Sequence, residues 1–112
     1  MYLETEGDIK YETVTEAQLR EAFRDDKGRG TFIILSCDEK NFIQASNDKS
    51  GFDIEYREEC GDQSSHFRAG GPYTKAQVEE VFVWYLQNDG RWRTAFPWEK
   101  QEPDKKPWWK FW

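Results

Sequence analysis

The period of apolar and polar positions changes several times along this chain, and each change marks an element. Residues 52–57 alternate strictly, which predicts a strand with Phe52, Ile54 and Tyr56 inward and Asp53, Glu55 and Arg57 outward. Residues 65–69 alternate too, with Phe67 inward and His66 and Arg68 outward. Paired across the turn at 58–63, the two strands place Asp53 and Glu55 near Arg68 and His66, a charge-compensated sheet face. Residues 31–37 are apolar at almost every position. A β-branched run this short, between a glycine and a charged turn, predicts a central strand buried on both faces. Residues 41–46 return from it as a hairpin, and 47–51 form a turn cluster. Residues 8–14 read as a short extended segment with Ile9 and Tyr11 on one face.

Two stretches carry the helical period. Thr15 with Gln18 has the pattern of a capping box, and Leu19, Ala22 and Phe23 follow as one apolar stripe. Residues 25–30 break that helix. Thr74 with Gln77 repeats the capping pattern. Val78, Val81, Phe82, Tyr85 and Leu86 then form a longer stripe that stops at Asn88-Asp89-Gly90. Val83 and Trp84 fall off this stripe on opposite flanks, Trp84 by roughly 120° at ~100° per residue. The apolar band is therefore wider than contact with a sheet alone requires. Trp84 either packs under the following segment, 91–98, which reads as one more strand or extended segment, or anchors a partner, since tryptophan is enriched at binding hot spots.

These elements imply an α+β domain over residues 1–102, an antiparallel sheet of about five strands with two helices packed on one face. Residues 103–112, Pro103-Asp104-Lys105-Lys106-Pro107-Trp108-Trp109-Lys110-Phe111-Trp112, read as a flexible tail rich in Trp and Lys. Its aromatic side chains are costly to expose. The tail folds back on the domain, enters a protein groove, or makes a weak contact with a membrane surface, where Trp and Lys are favoured.

Composition narrows the function classes. At 112 residues with eight Phe, five Tyr and six Trp, one core can form without staples. Nothing resembles a transmembrane run or a signal peptide. With only Cys37 and Cys60, free thiols and a cytoplasmic location are expected, a single Cys37–Cys60 bridge being the alternative. Net charge is −6, and it is concentrated early: residues 1–62 hold 16 Asp/Glu against 8 Lys/Arg, residues 63–112 hold 6 against 8. Such a body repels phosphate, so no nucleic acid is expected, and it attracts a basic protein.

Chemistry is harder to find. His66 is alone, no nucleophile elbow accompanies it, and one His with two distant Cys is no zinc pattern. No cofactor, metal or catalytic residue is assigned, and the chain is not expected to be an enzyme. An acid–base role for the carboxylates Glu55, Glu58, Glu59 and Asp62 with His66 is the enzymatic alternative. The candidate contact residues for a protein partner are Asp53, Glu55, Glu58, Glu59, Asp62, Trp84, Trp108, Trp109 and Trp112. A peripheral membrane or scaffold module acting through the tail is a third reading.

One resemblance bears on the partner. Residues 64–99, with Tyr73-Thr74-Lys75-Ala76-Gln77-Val78-Glu79-Glu80-Val81-Phe82, Tyr85-Leu86, Gly90 and Phe96-Pro97-Trp98-Glu99, are similar to the end of the Imm1-like immunity proteins of bacterial polymorphic toxin systems. The resemblance implies a stoichiometric inhibitor of a toxin, often a nuclease. It does not extend to the first half or to the tail, and it carries over no binding residue.

Overall fold

The computed structural model describes residues 1–60 and 63–101. Its sheet has seven strands, all paired antiparallel: β1 (Tyr2–Thr5), β2 (Lys10–Tyr11), β3 (Phe32–Ser36), β4 (Phe42–Asp48), β5 (Gly51–Cys60), β6 (Gln63–Tyr73) and β7 (Glu99–Gln101). Their order is β2-β1-β3-β4-β5-β6-β7. The helices are α1 (Glu16–Arg24), α2 (Asp26–Arg29) and α3 (Lys75–Leu86), followed by a 3-10 helix at Gly90–Thr94. The α+β class and the antiparallel sheet agree with the sequence, whereas the element count is larger: seven strands and three helices replace about five and two.

The differences have local causes. The first strand pair forms earlier than the 8–14 segment suggests, and Gly7 between its strands packs against the backbone of α2. A Cβ at Gly7 would lie 2.1 Å from the carbonyl oxygen of Gly28. Thr5 N–H then donates to Ile9 O at 3.1 Å, closing the hairpin. Residues 25–30 contain one helical turn rather than only a break, because the Asp25 carboxylate caps it by accepting from Gly28 N–H at 2.9 Å. Residues 91–98 do not form a strand. Asn88 takes a positive φ of 57°, and the Asp89 side chain accepts from Arg91 N–H at 3.1 Å. That cap starts the 3-10 helix, and pairing resumes only at Glu99.

Both long helices begin as their sequences dictate. Thr15 with Gln18 and Thr74 with Gln77 each form a reciprocal capping box. Helix α3 is enclosed on three sides, which accounts for its wide apolar band. Val78, Val81 and Phe82 are buried in the core shared with β4 and β5, and Phe23 of α1 meets Phe82 edge-on with centroids 5.1 Å apart. On one flank Glu79 accepts from Arg20 at 2.8 Å, Gln87 donates to Glu16 at 2.6 Å, and Val83 between them is buried. On the other flank lies the 3-10 helix. Trp92 there is buried edge-on to Tyr56 at 4.7 Å and to Tyr85 at 5.0 Å. Trp98 meets the same Tyr56 at 4.7 Å, and Tyr56 stacks on Phe67 across the β5–β6 pair.

All of this cover lies on one face of the sheet, with Leu3, Ile33, Leu35, Ile43, Ala45, Phe52, Ile54, Tyr56 and Ala69 beneath it. Strand β3 is correspondingly buried on one side only. Ile33 and Leu35 are fully enclosed, whereas Phe32, Ile34 and Ser36 stay half-buried on the open face. The expectation of a strand buried on both faces is therefore corrected: a pure apolar run does not reveal whether a second layer is present.

Because α3 joins every covered layer, substitutions in its core stripe should be severe. Phe82→Ala leaves a large cavity and Val81→Asp buries an unpaired charge, each costing about 3 kcal/mol or more. A thermal melt is the check; either variant melting within a degree or two of the parent would remove the stripe from the core.

Candidate protein-binding surface

The strand carboxylates come first, since the two-residue alternation of β5 decides where each one points. Asp53, Glu55 and Glu59 stand on the open face, and Glu58, of opposite parity, points to the covered side. Three are matched by a cation and Glu55 by a histidine ring. Asp53 accepts from Arg68 at 3.0 Å and also from Gly71 N–H at 2.9 Å. Glu55 lies 3.1 Å from His66 Nε2, Glu59 lies 3.2 Å from Lys40, and Glu58 accepts from Arg93. The cross-strand compensation read from the sequence is thus present at Asp53–Arg68 and Glu55–His66. As a set for acid–base chemistry the group is divided, because Glu58 and His66 are on opposite sides of the sheet. Asp62, Trp108, Trp109 and Trp112 lie outside the described residues. Among the described residues, no group of three or more His, Cys, Asp or Glu could hold a metal ion. No helix among them is long and apolar enough to cross a membrane.

Trp84 lies at a different kind of place. It sits half-buried on the flank of α3, and the Arg91 guanidinium covers its ring at 4.7 Å. Asp89 holds that guanidinium by two hydrogen bonds of 3.0 and 2.7 Å. These bonds push the Arg91 ionisation up and the Asp89 carboxyl down, so both charges persist. Beside this stack runs a groove of about 470 Å³ between α3 and the chain after the 3-10 helix. Val81, Trp84, Ala95 and Phe96 form its apolar surface, and Gln77 and Glu80 stand on the helix side. Phe96 is fixed from behind by stacking on Tyr73, centroids 4.1 Å apart. Of the two roles open to Trp84, the structure combines parts of both: Arg91 packs over it, and the rest of it lines an accessible groove. Sequence reasoning identified Trp84 but missed Arg91 and Phe96. The Asp89-Gly90 cap was the available signal, because it turns the chain back toward α3.

A second, smaller cleft of about 270 Å³ opens at the far end of α3, lined among others by Cys37, Glu58, Tyr85 and Arg93. Cys37 is an exposed free thiol that donates to the Tyr85 hydroxyl at 3.7 Å. Neither residue was marked as functional by the sequence.

No family model matches the chain, and neither a curated protein nor a solved structure matches it.

The Tyr85 phenol makes this end of α3 sensitive to alkali. Burial, reinforced by the contact with Cys37, pushes its ionisation far above the ordinary tyrosine value. A folded-state pKa raised in this way contributes stability that is complete below the ordinary range and is lost as pH rises above it. In an alkaline titration followed by tyrosinate absorbance, the contribution absent from Tyr85→Phe should appear only with unfolding. Its appearance in the folded protein would contradict the enclosure of the phenol.

Proposed function

We propose that this chain is a small protein-binding domain and that the α3 groove beside Trp84 is its principal contact. The observation that carries the reading is the Trp84–Arg91 stack at the edge of an apolar groove. Tryptophan and arginine dominate binding hot spots, and here the Asp89 bonds hold the pair in place before any partner arrives. The groove floor of Val81, Ala95 and Phe96 suits an aliphatic or aromatic side chain, while Glu80 on its margin already lies 3.6 Å from Arg20. The partner is therefore read as a protein that inserts an apolar side chain, and on charge as a basic one. The net charge of −6 favours the same partner through long-range attraction.

The immunity-type reading fits within this one. The groove is built from residues 77–96, inside the stretch that resembles Imm1-like proteins, and a toxin nuclease would supply the basic surface. The free thiol of Cys37 suits the reducing cytoplasm in which such an inhibitor would act. A binding role is preferred to an enzymatic one because Glu58 and His66 stand on opposite sides of the sheet and cannot act as one acid–base pair.

Binding kinetics against the product of the gene adjacent to its own provide the test. Trp84→Ala should raise the off-rate about tenfold or more, corresponding to a loss above ~1.4 kcal/mol. Glu59→Gln, a change within an internal ion pair on the open face, should alter it little. An unchanged off-rate for Trp84→Ala would remove the groove from the interface, and failure of the adjacent product to bind would remove the immunity-type reading.

A further inference from the structure

The geometry points to residues 102–112 of this chain as the cover of the sheet's open face. Tyr2, Phe32, Ile34 and Phe42 sit on that face half-buried, outside the core cluster on the other side. Strand pairing makes them neighbours. Tyr2 is opposite Ser36 and Ser36 is opposite Phe42, while Ile34 and Phe32 are the next two open-face positions along β3. A grouped apolar patch on an otherwise polar face marks a contact surface.

The chain itself leaves the described fold on this face. One rung crosses the sheet from Tyr2 through Ser36, Phe42, Arg57 and His66 to Gln101, the last residue of β7. Residues opposite one another on a rung point to the same side, so Gln101 stands on the open face with Phe42 and Tyr2. At one strand spacing per step, β4 is roughly 14 Å from β7 and β1 is roughly 24 Å away. Trp108 can reach up to roughly 23 Å from Gln101 and Trp112 up to roughly 36 Å. The four aromatics Trp108, Trp109, Phe111 and Trp112 therefore fall within range of the apolar patch. The apolar end of the chain is thus long enough to reach the apolar part of the face. This surface is separate from the Trp84 groove, and the inference does not depend on the binding reading.

The test uses the full chain with its isoleucine methyl groups labelled for NMR. Replacing Trp108, Trp109, Phe111 and Trp112 together by Ser should shift the Ile34 methyl resonance and leave Ile43 and Ile54, on the covered face, in place. The shift should be the same at all protein concentrations. Reciprocally, Ile34→Ser should raise the fraction of tryptophan fluorescence that acrylamide quenches, and this increase should vanish when the tail already carries the four serines. If the fourfold variant does not fold, Trp109→Ser with Trp112→Ser serves in its place. An Ile34 resonance indifferent to the tail overturns the inference. So does a shift that depends on protein concentration, which would assign the face to a second copy. A shift seen only after addition of anionic lipid vesicles would assign the aromatics to a membrane surface and overturn it equally.

Discussion

Helix α3 is enclosed on three sides, leaving Ala76, Gln77 and parts of Glu80 and Trp84 to water, and this enclosure organises the covered half of the molecule. Its apolar band is too wide for the sheet to bury alone, so α1 must close one flank and the 3-10 helix the other. Phe82 at the centre is fully enclosed, and the edge of Phe23 completes its surroundings from α1. The α1 flank is fastened by the Arg20–Glu79 ion pair, with Arg24 a second cation 3.5 Å from the same nearly enclosed carboxylate. The opposite flank is fastened by rings: Trp92 and Trp98 both meet Tyr56, and the indole N–H of Trp98 donates to Trp92 O at 3.3 Å. The Trp84 groove is what remains of α3 once the other contacts have closed.

The opposite face of the sheet follows another rule. With no helix over it, its strands satisfy their outward positions sideways, through cross-strand ion pairs at β5 and β6, and leave the apolar residues of β1, β3 and β4 grouped together. A sheet covered on one side only can solve half of its surface by charge pairing, because exposed ion pairs retain much of their hydration. Large apolar side chains have no equivalent solution within the plane of the sheet. This asymmetry separates the two surfaces to which roles are proposed.

Local features were legible in the sequence, and features set by distant packing were not. The capping boxes at Thr15 and Thr74 need only four residues each, and both form. The alternation of β5 and β6 placed Asp53 and Glu55 beside Arg68 and His66 correctly, because strand geometry and a short hairpin suffice for that. The run at 31–37 showed that β3 is apolar but not that one of its sides lacks a cover. Residues 91–98 misled because their aromatics suit a strand, while the Asp89 cap and the pull of Tyr56 and Tyr85 on Trp92 favoured a tighter turn. For the candidate site, Trp84 stood out by its position on the helical wheel. Arg91 and Phe96 could not be found in that way, since they reach the groove only through the turn at Asn88.

The Asp53 carboxylate joins two features that are usually separate. One oxygen accepts from the Arg68 side chain and the other from the backbone N–H of Gly71, within the irregular pairing where Ala69-Gly70-Gly71-Pro72-Tyr73 lies opposite Phe52 to Ile54. Gly71 itself has no room for a side chain, because a Cβ there would lie 2.1 Å from Phe52 O. Positions 53, 68 and 71 are therefore physically coupled. Removing the Asp53 carboxylate leaves a backbone amide as well as a guanidinium without its acceptor, whereas the Glu55–His66 contact involves side chains alone. The aspartate thus ties the irregular end of the β5–β6 pair to its regular part.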